Sequence, residues 1–132
     1  MRQIEIIQDY RWLLMEAMSI KHQADAVAII GRPAGVGGQA LSMAPGATND
    51  RTAAAIQAFD GYMQKLEQRR EELMQICAQF EKIVESIQDP RDRCIIRLYY
   101  GAGKTEEQVA EVMHMDQSTV NRYRARILSY FA

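Results

Sequence analysis

The chain has 132 residues, 48% of them apolar and 25% charged, with a formal net charge of −1. That profile suits a soluble globular protein built as one compact domain or two small helical units. No apolar run approaches the roughly 20 residues of a bilayer span, and the opening Met1-Arg2-Gln3-Ile4-Glu5 mixes charge with apolar groups as no secretory signal does, so a cytoplasmic protein without membrane contact is expected.

Cys77 and Cys94 lie seventeen positions apart, and His22 and His114 stand alone. Neither a disulfide framework nor a metal-ligand cluster follows from such spacing, and no metal or other cofactor is expected. The charge is unevenly spread: residues 1–89 hold nine Lys/Arg against twelve Asp/Glu, residues 90–132 seven against five. Beyond Asp116 the only charges are Arg122, Arg124 and Arg126. A basic end on an acidic chain points modestly to a polyanion, though on charge alone a solvated helix face is the favoured reading.

Residues 2–30 contain no Pro and no Gly. Ile6, Tyr10, Leu13, Ala17, Ile20, Ala24 and Val27 repeat at alternating four and three, a heptad seam on a long helix, with Trp12 off that seam. Gly31, Pro33, Gly35, Gly37, Gly38, Pro45 and Gly46 then crowd one short stretch, which predicts a flexible loop over residues 31–49. Thr48, Asn49 or Asp50 would cap a second long helix. Ile56, Phe59, Met63, Leu66, Leu73, Cys77, Phe80, Val84 and Ile87 form its seam, interrupted at Arg70, and Pro90 would stop it.

Two heptad helices joined by a loop predict a coiled-coil-like antiparallel hairpin over residues 1–89. The second seam outruns the first by about two turns at 1.5 Å per residue. Its overhang, Cys77 to Ile87, must pack on the C-terminal unit or on a second copy, so a homodimer through that overhang is expected.

Residues 90–132 read as three short helices. Cys94, Ile95, Leu98 and Tyr99 make the first amphipathic, and Gly101 and Gly103 end it. Thr105 with Gln108 forms a capping box for the second, which buries Val109, Ala110, Val112 and Met113. A turn through His114 and Met115 leads to Asp116, a strong N-cap for the last helix, whose Val120, Tyr123, Ile127 and Leu128 face inward. The expected architecture is therefore all-α: a long hairpin followed by a three-helix helix-turn-helix. Opposite the buried stripe the last helix presents Gln117, Ser118, Asn121, Arg122 and Arg124, hydrogen-bonding types suited to base edges and phosphates, and Thr119 is counted with them as a DNA contact. Arg124 and Arg126 are expected on phosphates. Lys104 and Thr105, at the entry of the preceding helix, complete the DNA-contact set, helped by the N–H groups of a helix start.

The run PRDRCIIRLYYGAGKTEEQVAEVMHMDQSTVNRYRARIL resembles region 4 of sigma-70-type transcription factors, the module that reads the −35 promoter element. Arg97-Leu98-Tyr99-Tyr100-Gly101, Thr105 through Ala110, Ser118-Thr119-Val120 with Arg122, and Arg126-Ile127-Leu128 carry the resemblance. The whole layout is similar to small phage and prophage proteins that join an N-terminal helical hairpin to such a domain. The resemblance implies a phage or prophage transcriptional regulator that binds duplex DNA, with RNA polymerase as a further candidate partner. Two departures stand out. His114 occupies a turn position where Gly is usual, and nothing resembles the segments that bind core polymerase or melt the −10 element, so a complete sigma factor is not expected.

Other readings fit less well. Gly101-Ala102-Gly103-Lys104-Thr105 suggests a phosphate loop, but the first glycine of that motif would fall at Leu98 and a helix rather than a strand precedes it. No nucleophile–base pair or carboxylate dyad stands out, and an enzyme is not expected. A DNA-packaging component of the small-terminase kind and a pure polymerase- or protein-binding module are the alternatives to regulation.

Overall fold

A computed structural model of the protein describes the backbone of residues 1–31 and 45–132 and the side chains of residues 1–30 and 51–132. The described residues form five α-helices and one π-helical turn, with no strand among them. These are α1 (Gln3–Gly31), α2 (Pro45–Glu85), α3 (Pro90–Ile96) continued by the π turn Arg97–Gly101, α4 (Glu106–Met113) and α5 (Gln117–Ser129). The fold is all-α. No helix among the described residues is long and apolar enough to cross a membrane.

Most of the Gly/Pro-rich segment lies outside the described residues. Its edges are helical: Gly31 closes α1, and α2 begins at Pro45. Thr48, Asn49 and Asp50 therefore sit inside α2 instead of capping it. Pro45 takes the first helical position, where its missing N–H and fixed φ suit helix entry.

The described chain divides into two compact units. One, Ala17–Gln68, buries Ala17, Ile20, Ala24 and Leu66. Ile56 and Met63, expected on the seam of α2, are 56% and 37% exposed. Of the expected seam there, Phe59 is half-buried and Leu66 buried, and Ala55 and Tyr62 take the half-buried places beside them. Side chains three and four apart share a face, and the inward line runs through Ala55, Phe59, Tyr62 and Leu66, leaving Ile56 and Met63 beside it.

The other unit joins Met1–Glu16 with Arg69–Ala132. Within it α1 and α2 run antiparallel: Tyr10 stacks on Phe80 with ring centroids 4.4 Å apart, and Glu16 pairs with Arg69. Arg69, which also meets Glu72, is half-buried, whereas its neighbour Arg70, expected on the seam, is exposed. Ile6 and Ile7 of α1, Phe80, Ile83 and Val84 of α2, and Ile96, Tyr100 and Ile127 from the C-terminal helices form one buried cluster. The end of α2 expected to overhang is thus covered by its own chain, and the motive for pairing it with a second copy is removed. Position 89 marks where α3 begins in the chain, but packing unites residues 1–16 and 69–89 with the helices that follow.

Pro90 opens α3 rather than stopping α2, which ends five positions earlier at Glu85. Arg93 Nη1 donates to the carbonyls of Ile87 (2.6 Å) and Gln88 (3.0 Å), supplying partners to backbone that leaves the helix. Asp89 caps α3 by accepting the Arg91 N–H at 2.8 Å. Cys94, expected inside, is exposed, while Ile95, Ile96 and Tyr100 are buried. The π turn places Tyr99 and Tyr100 edge to face, centroids 4.8 Å apart. Gly101 ends it against the Phe80 ring, which a Cβ would meet at 3.3 Å. Gly103 follows at φ 72°, a conformation that glycine adopts without strain.

Candidate nucleic-acid interface

Thr105 and Gln108 form the capping box of α4. Thr105 Oγ1 accepts the Gln108 N–H at 3.2 Å and Gln108 Oε1 accepts the Thr105 N–H at 3.0 Å. Val109 and Ala110 pack with Ile95 and Val120 in a second buried cluster, ringed by Leu98, Met113, Met115 and Tyr123. Val112 is 53% exposed, because a helix of eight residues offers one narrow inner face and 109, 110 and 113 fill it.

His114 ends α4 in the left-handed region at φ 56° and ψ 48°, a conformation that His tolerates better than most non-glycine residues. The reversal lets the Met115 N–H reach the Ala110 carbonyl at 2.9 Å and turns the Met115 side chain onto the cluster. Asp116 occupies the N-cap of α5 through its backbone only: its carbonyl accepts from Thr119 (3.0 Å) and Val120 (3.1 Å), and its carboxylate makes no capping bond.

α5 has two contrasting faces. Val120 and Ile127 are buried, with Tyr123 and Leu128 half-buried beside them. On the other side Gln117, Ser118, Asn121 and Arg122 are all exposed, and their i, i+4 spacing makes them a single stripe. Arg122 has no ion-pair partner among the described residues; its Nη2 lies 3.3 Å from the Oγ1 of half-buried Thr119. Two helices crossing at a tight left-handed turn, with a polar stripe facing solvent on the second, constitute a helix-turn-helix.

Residues 89–129 match the Sigma-70, region 4 family model. The match stops short of both long helices. Neither a curated protein nor a solved structure matches the chain. The C-terminal segment is thus a helix-turn-helix similar to sigma-70 region 4.

Not every expected contact lies on the outer face of this region-4-like unit. Arg124 turns inward with its side chain only 20% exposed. Nη1 donates to the Tyr100 hydroxyl at 3.0 Å, Nη2 to Glu106 Oε1 at 2.9 Å, and the guanidinium lies 4.4 Å from the Tyr99 ring centroid. Arg124 is therefore a structural tie between the π turn, α4 and α5, and is withdrawn from the phosphate contacts. Burial alone would lower its pKa, but the Tyr100 hydroxyl and the Glu106 carboxylate outweigh that and raise it, so the guanidinium stays charged. Burial raises the Tyr100 phenol in turn, against the opposing pull of Arg124.

Arg126 is 46% exposed, pairs with the mostly buried Asp92 at 2.9 Å and covers the Tyr123 ring. Its charge at the surface is largely answered from within. The Thr105 hydroxyl is engaged in the capping box. Lys104 is half-buried, its N–H bonded to the Leu98 carbonyl at 3.1 Å. The structure brings Gln117, Ser118, Asn121 and Arg122 together on one surface, sets Thr119 behind them, turns Arg124 inward, and pairs the exposed Arg126 with Asp92.

Three further residues shape the unit. Arg11 of α1 donates to the carbonyls of Tyr99 (2.6 Å) and Lys104 (3.2 Å) and lies 3.8 Å from the Tyr99 ring centroid. Tyr99 therefore carries two guanidiniums, those of Arg11 and Arg124. Glu106, 18% exposed, accepts from both Arg124 and the Asn121 amide. Nothing local marks Arg11, whose partners lie 88 and 93 positions away.

Proposed function

We propose that this protein binds double-stranded DNA sequence-specifically, with α5 in the major groove, and regulates transcription in a phage or prophage. The observation that carries the reading is the exposed stripe of Gln117, Ser118, Asn121 and Arg122 on the second helix of a region-4-like helix-turn-helix. A major groove about 12 Å wide admits one helix, and those four side chains are types that hydrogen-bond base edges and phosphates. The N-terminus of α4, with Lys104 beside it, would lie near a phosphate. The reading is of a binding protein, not an enzyme, acting in the cytoplasm where DNA and RNA polymerase meet; polymerase is a second partner consistent with the family.

Selection of bound duplexes from a random pool, followed by mobility shifts on the selected sequence, tests this. Arg122→Ala should weaken binding to all duplexes and lower the salt slope by roughly 1, one fewer phosphate charge being neutralised. Gln117→Ala should relax preference at one base pair by roughly 1–3 kcal/mol. Absence of any shift at low salt would defeat the proposal.

A further inference from the structure

Asn121 is exposed on the reading stripe, yet its amide is not free to turn. Its Nδ2 lies 3.3 Å from Glu106 Oε1, the same oxygen that accepts from Arg124 Nη2 at 2.9 Å. A carboxylate is acceptor-only, so the amide must turn its NH2 toward Glu106 and its carbonyl oxygen away. Glu106 itself is fixed. It stands in the first turn of α4, beside the capping box, with its side chain 18% exposed. Arg124 is held behind it by Tyr100 and by the Tyr99 ring, which Arg11 of α1 also covers.

Resting on the proposed DNA binding, we infer that Glu106 is a positioning residue that sets Asn121 to read adenine. One N–H of the amide goes to Glu106. The second N–H and the carbonyl oxygen remain, an adjacent donor and acceptor that match N7 and the N6 amino group on the major-groove edge of adenine. A freely rotating amide would present either end to the groove. With the amide held this way round, a base offering acceptors alone, such as guanine through O6 and N7, leaves the Asn121 oxygen unpaired.

The test is random-pool selection with the whole chain and four variants. Asn121→Ala identifies the base pair that Asn121 reads, and that pair should be A·T with adenine facing α5. Glu106→Ala should lose most of the adenine preference at that position, about 5- to 150-fold, while the positions relaxed by Gln117→Ala stay as selective as in the parent. Glu106→Gln keeps an oxygen able to accept from Asn121 and should retain the preference. A merely structural role for Glu106 would blur all positions together. Should Glu106→Ala unfold, Glu106→Leu combined with Arg124→Leu removes both halves of the ion pair, leaves no unpaired buried charge and carries the same expectation. A parent protein that selects no duplex overturns the DNA reading and this inference with it. A parent that selects duplexes, but whose Asn121 position is not adenine or whose Glu106→Ala variant keeps its preference, overturns the inference alone.

Discussion

Arg122 and Arg124 lie two residues apart on α5 and occupy opposite environments. Arg122 is exposed, with no carboxylate partner among the described residues, whereas Arg124 is 20% exposed and bonded to Tyr100 and Glu106. The difference is angular. At 3.6 residues per turn, position 124 falls four beyond Val120 and one beyond Tyr123, on the side that packs against α4 and the π turn. Position 122 falls four beyond Ser118, on the side that faces solvent. Basic residues near the end of a helix-turn-helix therefore cannot be counted as one electrostatic footprint. One face of this helix is available to a ligand, and the other joins the helix to its own chain.

The contrast can be broken from the inner face first. Ile127 is 1% exposed in the cluster that joins α5 to α1 and α2, and Ile127→Ala should destabilise the protein by about 2–5 kcal/mol in chemical denaturation. Arg124→Ala should cost about 2 kcal/mol by leaving Glu106 without its charge partner, whereas Arg122→Ala should leave the unfolding midpoint within about 0.5 kcal/mol of the parent. If the two arginines proved equal in stability, the division of α5 into two faces would be wrong. Thr105→Ala should remove about 1 kcal/mol by opening the capping box, again without touching the outer stripe.

A pH effect sharpens the contrast more gently. Burial raises the phenols of Tyr100 and Tyr10 above their ordinary value of about 10, with Cys77 adding to the shift at Tyr10. A group whose folded pKa is raised stabilises the fold fully below its unfolded pKa and loses that contribution as pH climbs through the folded value. Stability should therefore hold through neutral pH and fall above about 10, tracked by phenolate absorbance alongside helicity. Early ionisation of every tyrosine at its ordinary pKa would contradict the burial of these two.

The elements that obey local rules were legible in the residues. The absence of Pro and Gly gave α1 almost to its ends. Thr105 with Gln108 set the start of α4, and the turn at His114 and Met115 was placed where the backbone reverses. The outward stripe at 117, 118, 121 and 122 followed from helical periodicity once the inward positions were known. Where local logic misled, a competing residue stood nearby. Pro45 displaced Thr48, Asn49 and Asp50 from the start of α2, and Asp89 with Pro90 opened the next helix after α2 had already ended.

What the sequence by itself determined, then, is a set of helices, the capping box of α4 and the polar face of the last helix, because each depends on residues within a turn or two. Tertiary structure alone decided what covers the end of α2, which α2 residues face inward, and that Arg124 belongs to the interior. It also decided that Arg11 of the first helix supports the helix-turn-helix. The two arginines depend on partners 18 to 93 positions distant. An arginine is free for a phosphate or bound by a carboxylate according to what the fold brings beside it, and that neighbour is not written in its own stretch of chain.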